Sequence, residues 1–353
     1  MGKPNLRLNP TVESSCERIL LETSASMLLA LALLLPEKLH SKRGQRPHDY
    51  RIVLVLCILR ILLRKSYKDY EIETRRDPRL CTIFGMDVLP SRSTLQRGME
   101  LFTMDILREF NSILLKKFIR PRVNALLDAS GIRIIGRSIW YSIRVKKRIS
   151  RRECDKVHLA VCNDHLLILN WFITNRKKND CPFFIRLLQP FENLGLILAD
   201  AAYLSRKNVQ YVVDKGGSPF IWIKKNVTLK AKNSFAWKSM IRLFRVFPSL
   251  FKGIYNKRSK VECIFSALKR RYGDHLHSRK WYLRRREMAL RFIAYNVKLI
   301  IYIQYAKVHK LNCWVRAWLF LEVSGWKIAG AIFRNRKNNT IIPRTRSRQA
   351  KMN

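Results

Sequence analysis

The sequence predicts a mixed α/β core behind an all-helical N-terminal domain, and three observations predict it. Apolar residues recur at helical spacing up to about residue 120. From Arg122 onward, short runs of β-type residues alternate with helical stretches. A hydrophobic content of 48%, with 10% aromatic, supplies enough apolar surface for such layers to bury.

In the N-terminal part, residues 1–120, helices are expected over residues 19–35, 52–63 and 102–118. Between them lies LPSRSTLQRGMEL, in which Ser91 or Ser93 is placed to cap a helix presenting Arg92, Gln96 and Arg97. Two readings stay open for this helix: a DNA reader of the helix-turn-helix kind, and a capped helix that only packs on its neighbours.

Residues 121–305 form the expected α/β domain. A strand over 123–127 is followed, after a basic stretch, by strands over 157–162 and 166–173, which the turn residues Asn163 and Asp164 join into a hairpin. A helix follows Asp180 and Pro182, then a strand over 194–199, a helix over 203–213 and a strand over 220–223. Residues 224–253 are basic and are expected to be irregular, ahead of one long helix that carries Glu262. Residues 306–353 form a basic C-terminal segment with Trp314, Trp318 and Trp326.

Charge narrows the function. The chain has 70 Lys and Arg against 25 Asp and Glu, a net charge of +45 spread over its whole length, which suits a polyanionic partner such as nucleic acid. No run of eighteen apolar residues is present: residues 27–35 are too few, and residues 52–63 are broken by Arg60. No secretory signal precedes them. The eight cysteines contain no CxxC pair, as expected of reduced thiols in a cytoplasmic protein.

Against this background Tyr255, Arg258, Glu262 and Lys269 stand out. On a helix of about 100° per residue their spacing places all four within an arc of roughly 60°. One acid is thereby set among cations and a phenol, which suits a carboxylate that holds a metal ion while its neighbours grip phosphates. Salt-bridged, solvated helix faces are the ordinary alternative. A catalytic divalent ion needs further hard oxygen ligands. Asp128, ending NALLD, and Asp200, ending GLILAD, both fall where a buried strand meets a loop, although either could simply cap the next helix.

With these residues the chain resembles DDE-type insertion-sequence transposases whose third motif is Tyr, two residues, Arg, three residues, Glu, six residues, Lys. Tyr255, Arg258, Glu262 and Lys269 match that motif in full. The first acid falls on Asp128 in DASG and the second on Asp200 in DAAY, and the similarity runs from about residue 50 to about 305, including KVHLAV and RFIAYNVKL. The resemblance implies an RNase H-like catalytic core. It implies two Mg²⁺ or Mn²⁺ ions on Asp128, Asp200 and Glu262, used to cut the element's ends and transfer the strand into target DNA. Arg258 and Lys269 would bind phosphates and Tyr255 would hydrogen-bond or stack beside them. Partners would be the terminal inverted repeats and target DNA, with a homodimer in the DNA complex and no membrane. The 62-residue interval from Asp200 to Glu262 leaves room for only a short insertion, at about 224–253. There Trp237 is placed to stack on a displaced base, or else to pack in the core, and Lys224 and Lys225 to touch DNA or solvent. The rival expectation is a catalytically inactive or domesticated DNA-binding protein acting on the same ends.

Overall fold

The computed structural model describes residues 9–37, 48–134, 154–224, 227 and 234–313. Lys225, the basic stretch 135–153 and the tryptophans of the C-terminal segment lie outside the described residues.

Six helices come first: α1 (Pro10–Ala32), α2 (Tyr50–Leu62), α3 (Tyr67–Thr74), α4 (Pro78–Phe84), α5 (Arg92–Gly98) and α6 (Met104–Leu115). Each begins where the sequence offers a polar cap. Asn9, Asp49, Ser66, Asp77, Ser91 and Thr103 accept a backbone N–H from the first turn, satisfying a donor with no partner inside the helix. Helix α2 is buried almost throughout, which explains its near-continuous apolar sequence.

The sheet follows: β1 (Arg122–Ile134), β2 (Cys154–Cys162), β3 (Ile168–Asn175), α7 (Phe183–Leu188), β4 (Asn193–Ala199), α8 (Arg206–Asp214) and β5 (Ser218–Ile221). Then come α9 (Phe235–Val246), α10 (Pro248–Tyr255), α11 (Lys260–Tyr272), the short β6 (His275–Leu276) and α12 (Trp281–Val308). The strand order is β3-β2-β1-β4-β5, with β2 antiparallel to β1 and β3, and β4 and β5 parallel to β1. This is the RNase H-like arrangement of a mixed sheet flanked by helices.

Helices from both ends of the chain share the core. Helices α1 and α2 pack on α12, and α6 reaches both α12 and β3. At their junction Asn296 on α12 is fully buried; its Oδ1 accepts the Ile168 N–H at 2.8 Å, and its Nδ2 donates to Asn111 Oδ1 at 2.8 Å and to Ile168 O at 2.9 Å. A buried amide costs free energy unless such bonds are made, so this knot fixes how α6, β3 and α12 meet.

Three expectations are corrected. Strand β1 does not end at residue 127 but runs on to Ile134, because β2 continues to pair with it as far as Arg133. Asp128 therefore sits mid-strand, not at a strand end. Residues 235–255 are helical, not irregular: α9 turns Trp237, Met240 and Ile241 into the core, and a helix buries that face while bonding its own backbone. The helix expected to carry all four signature residues is broken, since Tyr255 closes α10, Arg258 lies in a 3₁₀ turn over Asn256–Ser259, and α11 begins only at Lys260.

All eight cysteines are free thiols. Among the described residues no helix is long and apolar enough to cross a membrane.

Candidate active site

The site is built where β1 loses one neighbour. Parallel pairing with β4 ends at Leu127, opposite Ala199, and pairing with β6 begins only at Arg133, opposite His275. Along that edge, the stretch from Asp128 to Ile132 has no strand beside it. Asp128 is the first residue of the gap, and Asp200 is the first residue after β4. One register thus sets the two acids side by side.

Asp200 also performs the capping role foreseen as its alternative: its Oδ1 accepts the Ala201 N–H at 2.7 Å at the head of a 3₁₀ turn. Glu262 arrives from the other side. It lies in the first turn of α11, which packs on β1, and a carboxylate there meets the positive end of the helix.

Arg258 ties the acids together. Its Nη1 lies 3.0 Å from Asp128 Oδ2 and its Nη2 3.2 Å from Glu262 Oε1. Burial raises the Asp128 carboxyl above the usual range, the carboxylates of Asp200 and Glu262 push it the same way, and the Arg258 guanidinium and the Ala129 N–H oppose them. The three acids and the arginine therefore act on one another electrostatically, as one cluster.

Tyr255 packs beside Arg258, whose Cζ is 5.8 Å from the ring centroid, and against Trp222 at 4.9 Å. Burial pushes its phenol up to about 12, so it is a hydrogen-bond donor at neutral pH. Lys269, the last signature residue, pairs with none of the acids. Its Nζ donates to Ser130 Oγ at 3.1 Å, and Ser130 follows Asp128 by two residues on the same face of β1.

The other candidates lie apart from this cluster. Arg92, Gln96 and Arg97 are exposed on α5, which is capped by Ser91 as expected and lies directly on α2, where Gly98 leaves no room for a Cβ against Val53. Trp237 is 8% exposed and belongs to the core, the alternative foreseen for it. Lys224 is exposed just past β5. Sequence reasoning missed Ser130 and Tyr203. The Tyr203 hydroxyl is buried without a hydrogen-bond partner, and burial together with the charges of Asp180, Asp128 and Asp200 raises it well above the usual phenol range. Their proximity to Asp128 and Asp200 in sequence, within DAS and DAAY, was the available signal.

The donor set suits a hard divalent cation, because it offers carboxylate oxygens and two of them already share a cationic group. Among the described residues, no three acid, histidine or cysteine side chains stand as close as metal ligands in a formed site.

A 3-2-1-4-5 sheet whose central strand and its parallel neighbour carry adjacent acids, faced by a third acid from a following helix, defines the chain as an RNase H-like protein of the DDE type. Residues 120–297, half of the chain, match the family described as transposase DDE domain, and the chain belongs to that family. Among solved structures it is similar to a piggyBac transposase in a cryo-EM synaptic complex with hairpin DNA, at 9% identity and a TM-score of 0.38, over 93% of this chain and 82% of that one. No protein of curated function matches the sequence.

Proposed function

We propose that this transposase cuts DNA at the ends of an insertion sequence and transfers the freed strand into target DNA. The observation that carries this reading is the meeting of Asp128, Asp200 and Glu262 around Arg258 in a chain of this family.

Asp128, Asp200 and Glu262 would hold two Mg²⁺ or Mn²⁺ ions, with Glu262 facing the site from the first turn of α11. When bound, the ions supply activation of the attacking hydroxyl and neutralisation of phosphate charge. The protein's own groups do the rest. Arg258 and Lys269 contact phosphates beside the scissile bond, and Ser130 orients Lys269 for that contact. Tyr255 donates its hydroxyl proton, or stacks, at the same end of the DNA. Arg92, Gln96 and Arg97 on α5 contact the duplex away from the cut, with Lys224 and Lys225 as further phosphate contacts, while Trp237 stays in the core. The partners are the element's terminal inverted repeats and target DNA. Two ends require two copies, so a homodimer works on the DNA, in the cytoplasm at the nucleoid.

The test is to mix the purified protein and Mg²⁺ with DNA carrying the repeats that flank its gene, beside Glu262→Gln. Cuts at the element boundary that disappear in the variant are expected. Specific binding without cutting, in Mg²⁺ and in Mn²⁺ alike, would instead establish an inactive or domesticated DNA-binding protein.

A further inference from the structure

We propose that Arg258 is an internal stand-in for the metal: it holds the acid cluster together while the metal is absent, and metal loading releases it to grip DNA. The inference rests on the metal reading above and adds to it a linkage between metal and DNA.

The geometry supplies the first argument. Arg258 uses two different nitrogens, Nη1 and Nη2, for two carboxylates on two different elements, Asp128 on β1 and Glu262 on α11. A guanidinium has a rigid planar fork, so this bridge sets the distance between the two acids. A divalent ion shared by the same carboxylates would lie about 2.1 Å from their oxygens. It would then face the guanidinium at a few ångströms as a like charge of double strength, in a partly buried place where screening is weak. The arginine and the ion therefore exclude each other from these oxygens.

Charge balance supplies the second argument. Asp128 and Glu262 bring two carboxylates to one place, on either side of the same guanidinium. Without an ion, two facing carboxylates need a cation, and among the described residues Arg258 is the one that bridges them.

The arginine also has somewhere to go. It stands in the 3₁₀ turn between α10 and α11, so it can swing without unwinding a long helix. Its Nε is buried with no hydrogen-bond acceptor, so the bridge leaves the guanidinium incompletely satisfied. A phosphate placed outward of Glu262, which is half exposed, would offer it oxygens in the fork geometry it prefers. By linkage, an ion that frees Arg258 for phosphate must raise DNA affinity, and DNA must raise metal affinity by the same factor.

The experiment uses the full chain and Mn²⁺ without DNA, reading free Mn²⁺ by its paramagnetic resonance signal. Arg258→Gln is expected to bind Mn²⁺ roughly fivefold tighter or more than wild type, with a lower Tm in the absence of metal that Mn²⁺ restores. Arg258→Lys, which keeps the charge but loses the fork, is expected to lie between them, and it carries the test if the glutamine variant does not fold. In a second readout, Ca²⁺ in place of Mn²⁺ is expected to tighten binding of terminal-repeat duplex to wild type and to leave Arg258→Gln unchanged. Equal or weaker Mn²⁺ binding by both Arg258 variants overturns the inference. Asp128→Asn separates the two levels: if that variant loses Mn²⁺ while the Arg258 variants bind like wild type, only the stand-in role falls. If Asp128→Asn binds Mn²⁺ as wild type does, the metal reading falls and takes this inference with it.

Discussion

Leu127 of β1 stands opposite Ala199 at the end of β4, and the next residue along each segment is an acid, Asp128 within β1 and Asp200 just past β4. Their adjacency is a property of strand register: a slip by one residue would turn one of the two away to the opposite face. The meeting of the acids thus rests on the pairing of β1 with β4, and the closing of the cluster rests on where α11 begins.

Asp128→Asn and Asp200→Asn are each expected to lower cleavage of end DNA by more than the roughly hundredfold typical of losing a residue outside the ligand shell. Binding of the same DNA, measured by fluorescence anisotropy, is expected to stay near the wild-type value. Cleavage retained by either variant removes that residue from the ligand set.

Ser130→Ala deletes the acceptor that holds Lys269. The expected loss is about one neutral-to-charged hydrogen bond, roughly tenfold to 150-fold in single-turnover cutting. Ser130→Thr, which keeps the hydroxyl, is expected to restore most of the rate, and Lys269→Met to lower it further.

Asn296→Leu leaves the Ile168 N–H and the Asn111 Oδ1 buried without their partners. A destabilisation of about 2–4 kcal/mol follows from two such groups, read as a lower urea midpoint at unchanged slope. A change below half of that range would mean that the knot is not what joins α6 and α12 to the sheet.

His158 is buried on β2 against Phe183, and burial lowers its imidazole to about 4, with Asp180 working against the shift and Lys156 with it. Its folded value lies below its unfolded one, so the unfolded chain takes up the proton first as pH falls. Stability from the neutral ring is fully present above about pH 6.5 and is lost progressively toward pH 4, by up to ~3 kcal/mol. His158→Gln is expected to flatten the stability profile across that window in urea titrations from pH 7 to 4.

Arg92→Gln and Arg97→Gln on α5 are expected to weaken binding of the duplex flanking the cut, each lowering the salt slope by about 0.9. Their single-turnover cutting rate at saturating DNA is expected to match wild type. An unchanged salt slope would return α5 to the packing role foreseen as its alternative.

Much of this molecule is legible in the amino-acid order. The β2–β3 hairpin at Asn163 and Asp164, the capped start of α5 at Ser91 and the change from helix to strand near residue 120 all follow from local pattern and residue chemistry, because they depend on neighbours within a turn or two. The same local pattern misjudged residues 235–255. A basic, aromatic stretch is uninformative until the core tells which face to bury, and here Trp222, Phe244 and Phe251 gather beneath Tyr255.

By itself the sequence determined which groups the proposed site draws on: three scarce acids among many cations, and a Tyr, Arg, Glu, Lys spacing. Only the tertiary structure decided how they meet. It carried β1 past Asp128, split the signature between α10, a 3₁₀ turn and α11, bridged Asp128 and Glu262 through Arg258, and gave Lys269 to Ser130, 139 residues away in the chain. Those outcomes are set by sheet register and by the burial of whole faces. Their free energy is summed over strands and helices far apart in sequence, so no short stretch of residues contains it.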